Sequence, residues 1–496
     1  MRSRQLWVLA GLFCLTGQAT AQSWRLRFEA SAQRVAFRGV TADSVPETLV
    51  TPGPTGGPVS PDGFAVFCIG DGYCRFFRPG PVRRGIPAGA STDLVMWGLG
   101  LRGVSLHVST RLLGDLSGDR LWPGTSPTIR LVEGYAEYVR GGFTARAGRT
   151  LEQGRLGSSG GGLDGGRVAL RIERLDLTLG GYLGWGLARG TILPVTSPAV
   201  NPLLDFQPGN RQVVAGATAA VRWRTLDASA EYRREVDPGT DYFVAERAAI
   251  SLAARPVSRV SISAGGDYDI AQGRPGSADL LLSYSSTRGW LSVGARHYRP
   301  FFDLWTVWGV FSPVPYNAVN GSLAVRPIEK LQLSGRAEWF RYAAADVSTP
   351  SVNLTDHGWR WSFDGSVRPD SSWMFQLGAH DEFRPGASSR GVDGRIRWQV
   401  RRALEVQLEG GRLERPLELR FQDAGLTWAA GSVDYRTGER LHLGLSVARY
   451  WDSRDRPDAA AFDWNQWRVS AVLSLTLRSN ADRWVLPPAR RSGALP

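Results

Sequence analysis

The segment Trp467-Arg-Val-Ser-Ala-Val-Leu-Ser-Leu-Thr-Leu-Arg478 alternates with period two. Trp467, Val469, Ala471, Leu473, Leu475 and Leu477 fall on one face, and Arg468, Ser470, Ser474, Thr476 and Arg478 on the other. A pleated strand points successive side chains to opposite sides, so this is a strand with one apolar and one polar face. It is also long. Soluble strands average about 5–6 residues, whereas a strand tilted across a bilayer needs about 10.

Segments upstream behave alike. Leu404, Val406 and Leu408 oppose Glu405, Gln407 and Glu409; Ile396, Trp398 and Val400 oppose Arg395, Arg397, Gln399 and Arg401. Val213 to Trp223 repeats the pattern, and so do most segments from about residue 91 onward. Connections alternate between short turns, as at Arg140-Gly141, Arg224-Thr225, Arg255-Pro256 and Arg326-Pro327, and longer loops such as 113–128, 151–164, 189–211, 301–314 and 344–356. Ten short-turn hairpins, the last strand and a candidate at Trp24–Val40 make about 22 strands (range 18–24), with both ends on the short-turn side. The expected fold is therefore all-β, a single transmembrane antiparallel barrel. Closure removes the unpaired edges that lipid does not tolerate. Aromatics near strand ends, Trp97, Tyr138, Trp185, Trp223, Tyr232, Trp290, Trp339, Trp398, Trp428, Tyr450 and Trp467, are read as outward girdles at the two membrane interfaces.

Composition excludes the alternatives. Among 496 residues no run of 18 apolar residues occurs, so spanning helices are out, and glycine, 59 residues in all, recurs inside segments that should be regular. Arg2 and Arg4, an apolar Leu6–Leu15 and Ala19-Thr-Ala21 form a secretory leader cleaved after residue 21. The net charge of +13 falls to +11 on its removal, carried almost wholly by arginine, since Lys330 is the only lysine. Cys68 and Cys74 then remain in an oxidising compartment, separated by Ile-Gly-Asp-Gly-Tyr, and a disulfide is expected. The organisation read from the chain is a leader over 1–21, an N-terminal strand plus long Cys-containing loop over 22–90, the barrel over 91–478 and a periplasmic Pro/Arg-rich tail over 479–496. Pro52-Gly-Pro-Thr-Gly-Gly-Pro58 argues for irregular structure across 40–90, placed over or inside the extracellular mouth, where Phe64, Phe67, Tyr73, Phe76 and Phe77 gain cover from wall or rim.

With leader, alternating strands, unequal connections and terminal amphipathic strand, the chain resembles the Gram-negative outer-membrane β-barrel class, porin-like. The likeness covers about 91–478 and rests on pattern. It implies residence in the outer membrane, among its lipids, and insertion by the barrel assembly machinery. Such barrels usually end on an aromatic residue, whereas this strand reaches Leu477-Arg478 and a further tail follows.

Motif matches carry little. Gly98-Leu-Gly-Leu-Arg-Gly103 fits a dinucleotide fingerprint but enters a hairpin turn, with no helix to hold a pyrophosphate. Gly157-Ser-Ser-Gly-Gly161 fits a nucleophile elbow only in letters. No His/Ser/Asp cluster is visible, so no enzyme, cofactor or metal site is expected, and no nucleic-acid partner. The informative feature is the polar face. His107, Arg167, Arg171, Glu173, Arg222, Arg336, Glu338, Arg395, Arg397, Glu405, Glu409, His442 and Arg468 are the lumen-lining candidates. An arginine on a lipid face costs about 2–4 kcal/mol at the midplane, so these side chains belong inside. Excess arginine biases an open lumen toward anions. The loops look short for folding inward, except 40–90 and 189–211. The first function implied is a channel for small hydrophilic solutes, anions among them. The alternative resembles the porin-cytochrome conduits, a haemless sheath around a multihaem cytochrome or another periplasmic partner.

Overall fold

The computed structural model describes residues 23–53, 57–117, 128–151, 154–156, 162–187, 212–239, 243–299, 315–343, 356–384, 387–414, 423–455 and 464–479. The leader, the tail with Trp484, the 189–211 and 301–314 loops and the Gly157–Gly161 motif lie outside these residues. Long alternating segments become strands throughout. In chain order they are β1 Ser23–Pro46, β2 Thr51–Pro52, β3 Pro58–Val59, β4 Phe67–Cys68, β5 Tyr73–Gly85, β6 Pro87–Trp97, β7 Val104–Asp115, β8 Thr128–Arg140, β9 Phe143–Leu151, β10 Gly162–Ile172, β11 Leu177–Leu187, β12 Val213–Trp223 and β13 Leu226–Val236. They continue as β14 Phe243–Val257, β15 Val260–Asp269, β16 Arg274–Ser286, β17 Gly289–Tyr298, β18 Tyr316–Ile328, β19 Leu331–Tyr342, β20 His357–Val367, β21 Trp373–Arg384, β22 Ala387–Arg401, β23 Leu404–Glu414, β24 Asp423–Thr437, β25 Leu441–Asp455 and β26 Trp464–Arg478.

Strands β6 to β26 pair antiparallel, each with the next, and β1 closes the ring against both β6 and β26. The barrel therefore has 22 strands. Ser23 lies opposite Trp97 and Arg25 opposite Arg478, which brings the start of β1 and the end of β26 to the short-turn end. Turn chemistry explains that end. Arg224, at φ +51, takes the left-handed conformation that a two-residue turn between β12 and β13 demands. Gly103 has φ +88, and a Cβ there would stand 2.2 Å from the Val139 carbonyl oxygen, so β7 enters only with glycine. Two turns fall three residues later than their Arg-Pro pairs suggest, at 258–259 and 329–330. Pro256 and Pro327 sit within the strand ends instead, where pairing shifts register between Ala254 and Val257 and between Val325 and Ile328.

The segment 40–90 departs from the expectation of irregular structure. β1 runs 24 residues; past Arg34 it leaves β26 and pairs with β5 from Val35–Gly85 to Pro46–Tyr73. The resulting ribbon stands at the long-loop end. Cys68 and Cys74 lie opposite each other on β4 and β5 and are disulfide-bonded, with Gly70 and Gly72 both at φ +81 in the intervening turn. Cover for Phe64 and Phe76 comes from the ribbon's own cluster with Val45, Val66 and Cys74, not from the barrel wall. Phe67 and Phe77 stay 71% and 64% exposed. The glycine run also reads differently: Gly162–Gly166 is paired strand at the start of β10.

Candidate functional site

Register assigns the two faces. Leu443, Leu473, Phe28 and Thr92 stand on one side across successive strands, together with most of the exposed Leu, Val and Trp side chains. The other side carries most of the ion pairs and the more buried charges, as a concave inner wall requires. Seven girdle aromatics, Tyr138, Trp185, Trp223, Tyr232, Trp339, Trp398 and Trp467, occupy the outer face. Trp97, Trp290, Trp428 and Tyr450 do not. Trp97 pairs with Ser105 on the His107 face, Trp290 shares the Ser292 face, Trp428 stacks its edge toward Gly411, and the Arg468 guanidinium stands over Tyr450.

The candidate polar residues separate into three groups. Arg171–Asp176 and Arg222–Asp227 (2.7 and 2.6 Å) stand at the short-turn rim, and Glu173 lies in a 3₁₀ turn, off the strand on which alternation had placed it. Arg395–Glu409 and Arg397–Glu405 pair across β22 and β23 at 3.1 and 3.3 Å, while His442 meets Asp434 at 2.6 Å. His107 stacks on Tyr135 (centroids 4.7 Å apart) and approaches Glu137, which also holds Arg146 at 2.6 Å. Glu338 bridges Arg296 and Arg360. Arg167, Arg336 and Arg468 have no ion-pair partner among the described residues. Most of the inner arginines are thus neutralised locally.

The structure adds a feature that the loop lengths argued against. Between β9 and β10, the described residues Gly154–Leu156 seat on the inner face of β13 to β16. Glu231 of β13 accepts the backbone N–H groups of Arg155 and Leu156, both at 3.0 Å. Arg155 reaches on to Asp279 of β16 at 2.5 Å and lies 4.0 Å from Asp267 of β15. Leu156 is only 3% exposed. Gly154 adopts φ +138, and a Cβ on it would fall 2.2 Å from the Glu231 carboxylate, so both its backbone and its lack of side chain are required. Flanking the seat, Arg233–Glu235 and Arg247–Asp267 pair at 2.7 and 2.6 Å, nearly buried. Sequence reading missed Arg155, Glu231, Asp267 and Asp279. The alternation Asp227, Ser229, Glu231, Arg233, Glu235 marks an inner face, but nothing local announces that a loop four strands away will dock on it.

No protein-family model matches the chain, and no curated protein does. Among solved structures it is similar to the outer membrane protein opdK of Pseudomonas aeruginosa (11% identity, 92% of this chain and 98% of that chain, TM-score 0.40). A BenF-like porin of Pseudomonas fluorescens Pf-5 gives 10%, 92%, 98% and 0.42, and the siderophore receptor PirA of Acinetobacter baumannii 9%, 92%, 80% and 0.45. Likenesses this distant decide nothing about this chain's role. The structure itself establishes the architecture: a closed, even-stranded antiparallel barrel with an apolar outside and a polar inside, that of the Gram-negative outer-membrane β-barrels.

Proposed function

We propose that the protein is an integral outer-membrane channel for small hydrophilic solutes, whose aperture is set by the inward loop Gly154–Leu156. The observation that carries this is the docking of that loop on Glu231, Asp267 and Asp279 across the polar inner face. A barrel of about 22 strands leaves a lumen too wide to discriminate unless something occupies it. A pinned loop narrows the passage while leaving water in the remainder. Selectivity follows from the fixed charge left over after pairing. Arg167, Arg336 and Arg468 pull toward anions, and the inner-face Asp93, Asp364 and Asp393, also without an ion-pair partner among the described residues, pull against them, so the anion bias is smaller than the composition alone suggests. A sheath around a cytochrome fits less well, because the loop takes wall that a tightly held partner would use. Single-channel recording of the purified barrel, with uncharged polymers of graded size, tests the proposal. Discrete conductance cut off by small polymers is expected. Absence of conductance together with co-purification of a haem protein would replace the channel by the sheath.

A further inference from the structure

The outer face carries arginines where the apolar belt ends toward the long loops. Four of them meet a carboxylate: Arg149–Asp164, Arg341–Asp356, Arg390–Asp381 and Arg412–Glu414, at 2.7 to 3.1 Å. Arg34 of β1 and Arg449 of β25 have no ion-pair partner among the described residues. Only β26 separates them, with Arg34 opposite Val469 and Arg449 opposite Trp467. Two strand spacings place their backbones roughly 10 Å apart across the sheet. Below them, toward the short turns, the outward positions are apolar from Leu441 to Val447 on β25 and from Leu26 to Ala32 on β1. In place of a carboxylate, the Arg449 guanidinium is braced by aromatic rings, 5.6 Å from Trp451 and 5.2 Å from Trp467. Trp467 is 60% exposed on this face.

We propose that Arg34, together with Arg449 braced by Trp451 and Trp467, binds the phosphate of an outer-leaflet lipid headgroup. Tryptophan settles at the level of the headgroups, and the long-loop end faces the cell exterior. Among the described residues a guanidinium there lacks the carboxylate of its neighbours, it lacks the free hydration of a loop, and its planar donor fork matches phosphate oxygens. Two such forks on one patch hold a single anion more tightly than either alone. The lipid chains of the same molecule would lie along the apolar strip beneath. The site needs a folded barrel, and it does not depend on what the lumen conducts.

The test is native mass spectrometry of the purified barrel in neutral detergent, titrated with dioleoyl phosphatidic acid. Dioleoylglycerol and inorganic phosphate serve as the headgroup-free and chain-free probes. One phosphatidic acid should remain bound, with dioleoylglycerol and inorganic phosphate each at least tenfold weaker. R34Q/R449Q should lower phosphatidic acid affinity at least tenfold, R34K/R449K less, and R412Q, which leaves the site intact, not at all. If the double glutamine variant does not fold, R34Q and R449Q singly should each lose about threefold. Unchanged affinity in the glutamine variants would overturn the site, as would equal binding of dioleoylglycerol. Inorganic phosphate binding as tightly as the lipid would overturn the lipid as ligand.

Discussion

Removing the Glu231 carboxylate should release the inward loop. In the folded barrel this group accepts two backbone N–H donors, from Arg155 and Leu156, at 3.0 Å each. A hydrogen bond to a charged group contributes about 1.5 kcal/mol at the low end of the usual range, so E231A removes about 3 kcal/mol from the docked state. At about 1.4 kcal/mol per tenfold, the released population rises roughly a hundredfold. What remains is weaker. Asp279 is nearly half exposed, so its pair with Arg155 is screened, and Asp267 stands 4.0 Å away. E231Q keeps one acceptor oxygen and turns an amide toward the other donor, so its effect should fall nearer tenfold. Single-channel recording should show long-lived states of larger conductance in E231A, fewer in E231Q and rare ones in the parent. If folded E231A conducts with the same unitary current and open-state statistics as the parent, the loop does not set the aperture.

Free-thiol labelling of unreduced, denatured protein should be negligible, because Cys68 and Cys74 are joined; two equivalents of label would refute the bond. Reversal potentials under a salt gradient should show a small anion preference that R167Q/R336Q/R468Q abolishes, and cation preference in the parent would contradict the charge argument. E338Q strips the nearly buried carboxylate shared by Arg296 and Arg360, and should cost about 3 kcal/mol, read as earlier thermal unfolding of the barrel. G103A forces a Cβ into the Val139 carbonyl at a left-handed φ, and should destabilise by more than about 1 kcal/mol; a parent-like unfolding temperature would refute the turn analysis.

Strand periodicity, closure and strand number were legible in the sequence, because each depends on local alternation repeated at hairpin spacing. The face of Arg167, Arg395 or Arg468 follows directly from its odd or even place relative to Leu and Val neighbours. Aromatics are less reliable by that route, since an interior mouth also accommodates rings: Trp97, Trp290, Trp428 and Tyr450 turn inward. The Pro/Gly content of 40–90 hid a ribbon, because β1 simply continues past the wall and supplies β5 with a partner. Two decisions belonged to the tertiary structure alone. Whether an arginine is spare or neutralised depends on which carboxylate the register sets beside it, as with Arg395 and Glu409, against Arg336. The docking of Gly154–Leu156 joins residues about 75 to 125 positions apart in the chain, Glu231 and Asp279 among them. No local pattern encodes such a contact. It exists only once the closed barrel curves β13 to β16 into reach of the loop.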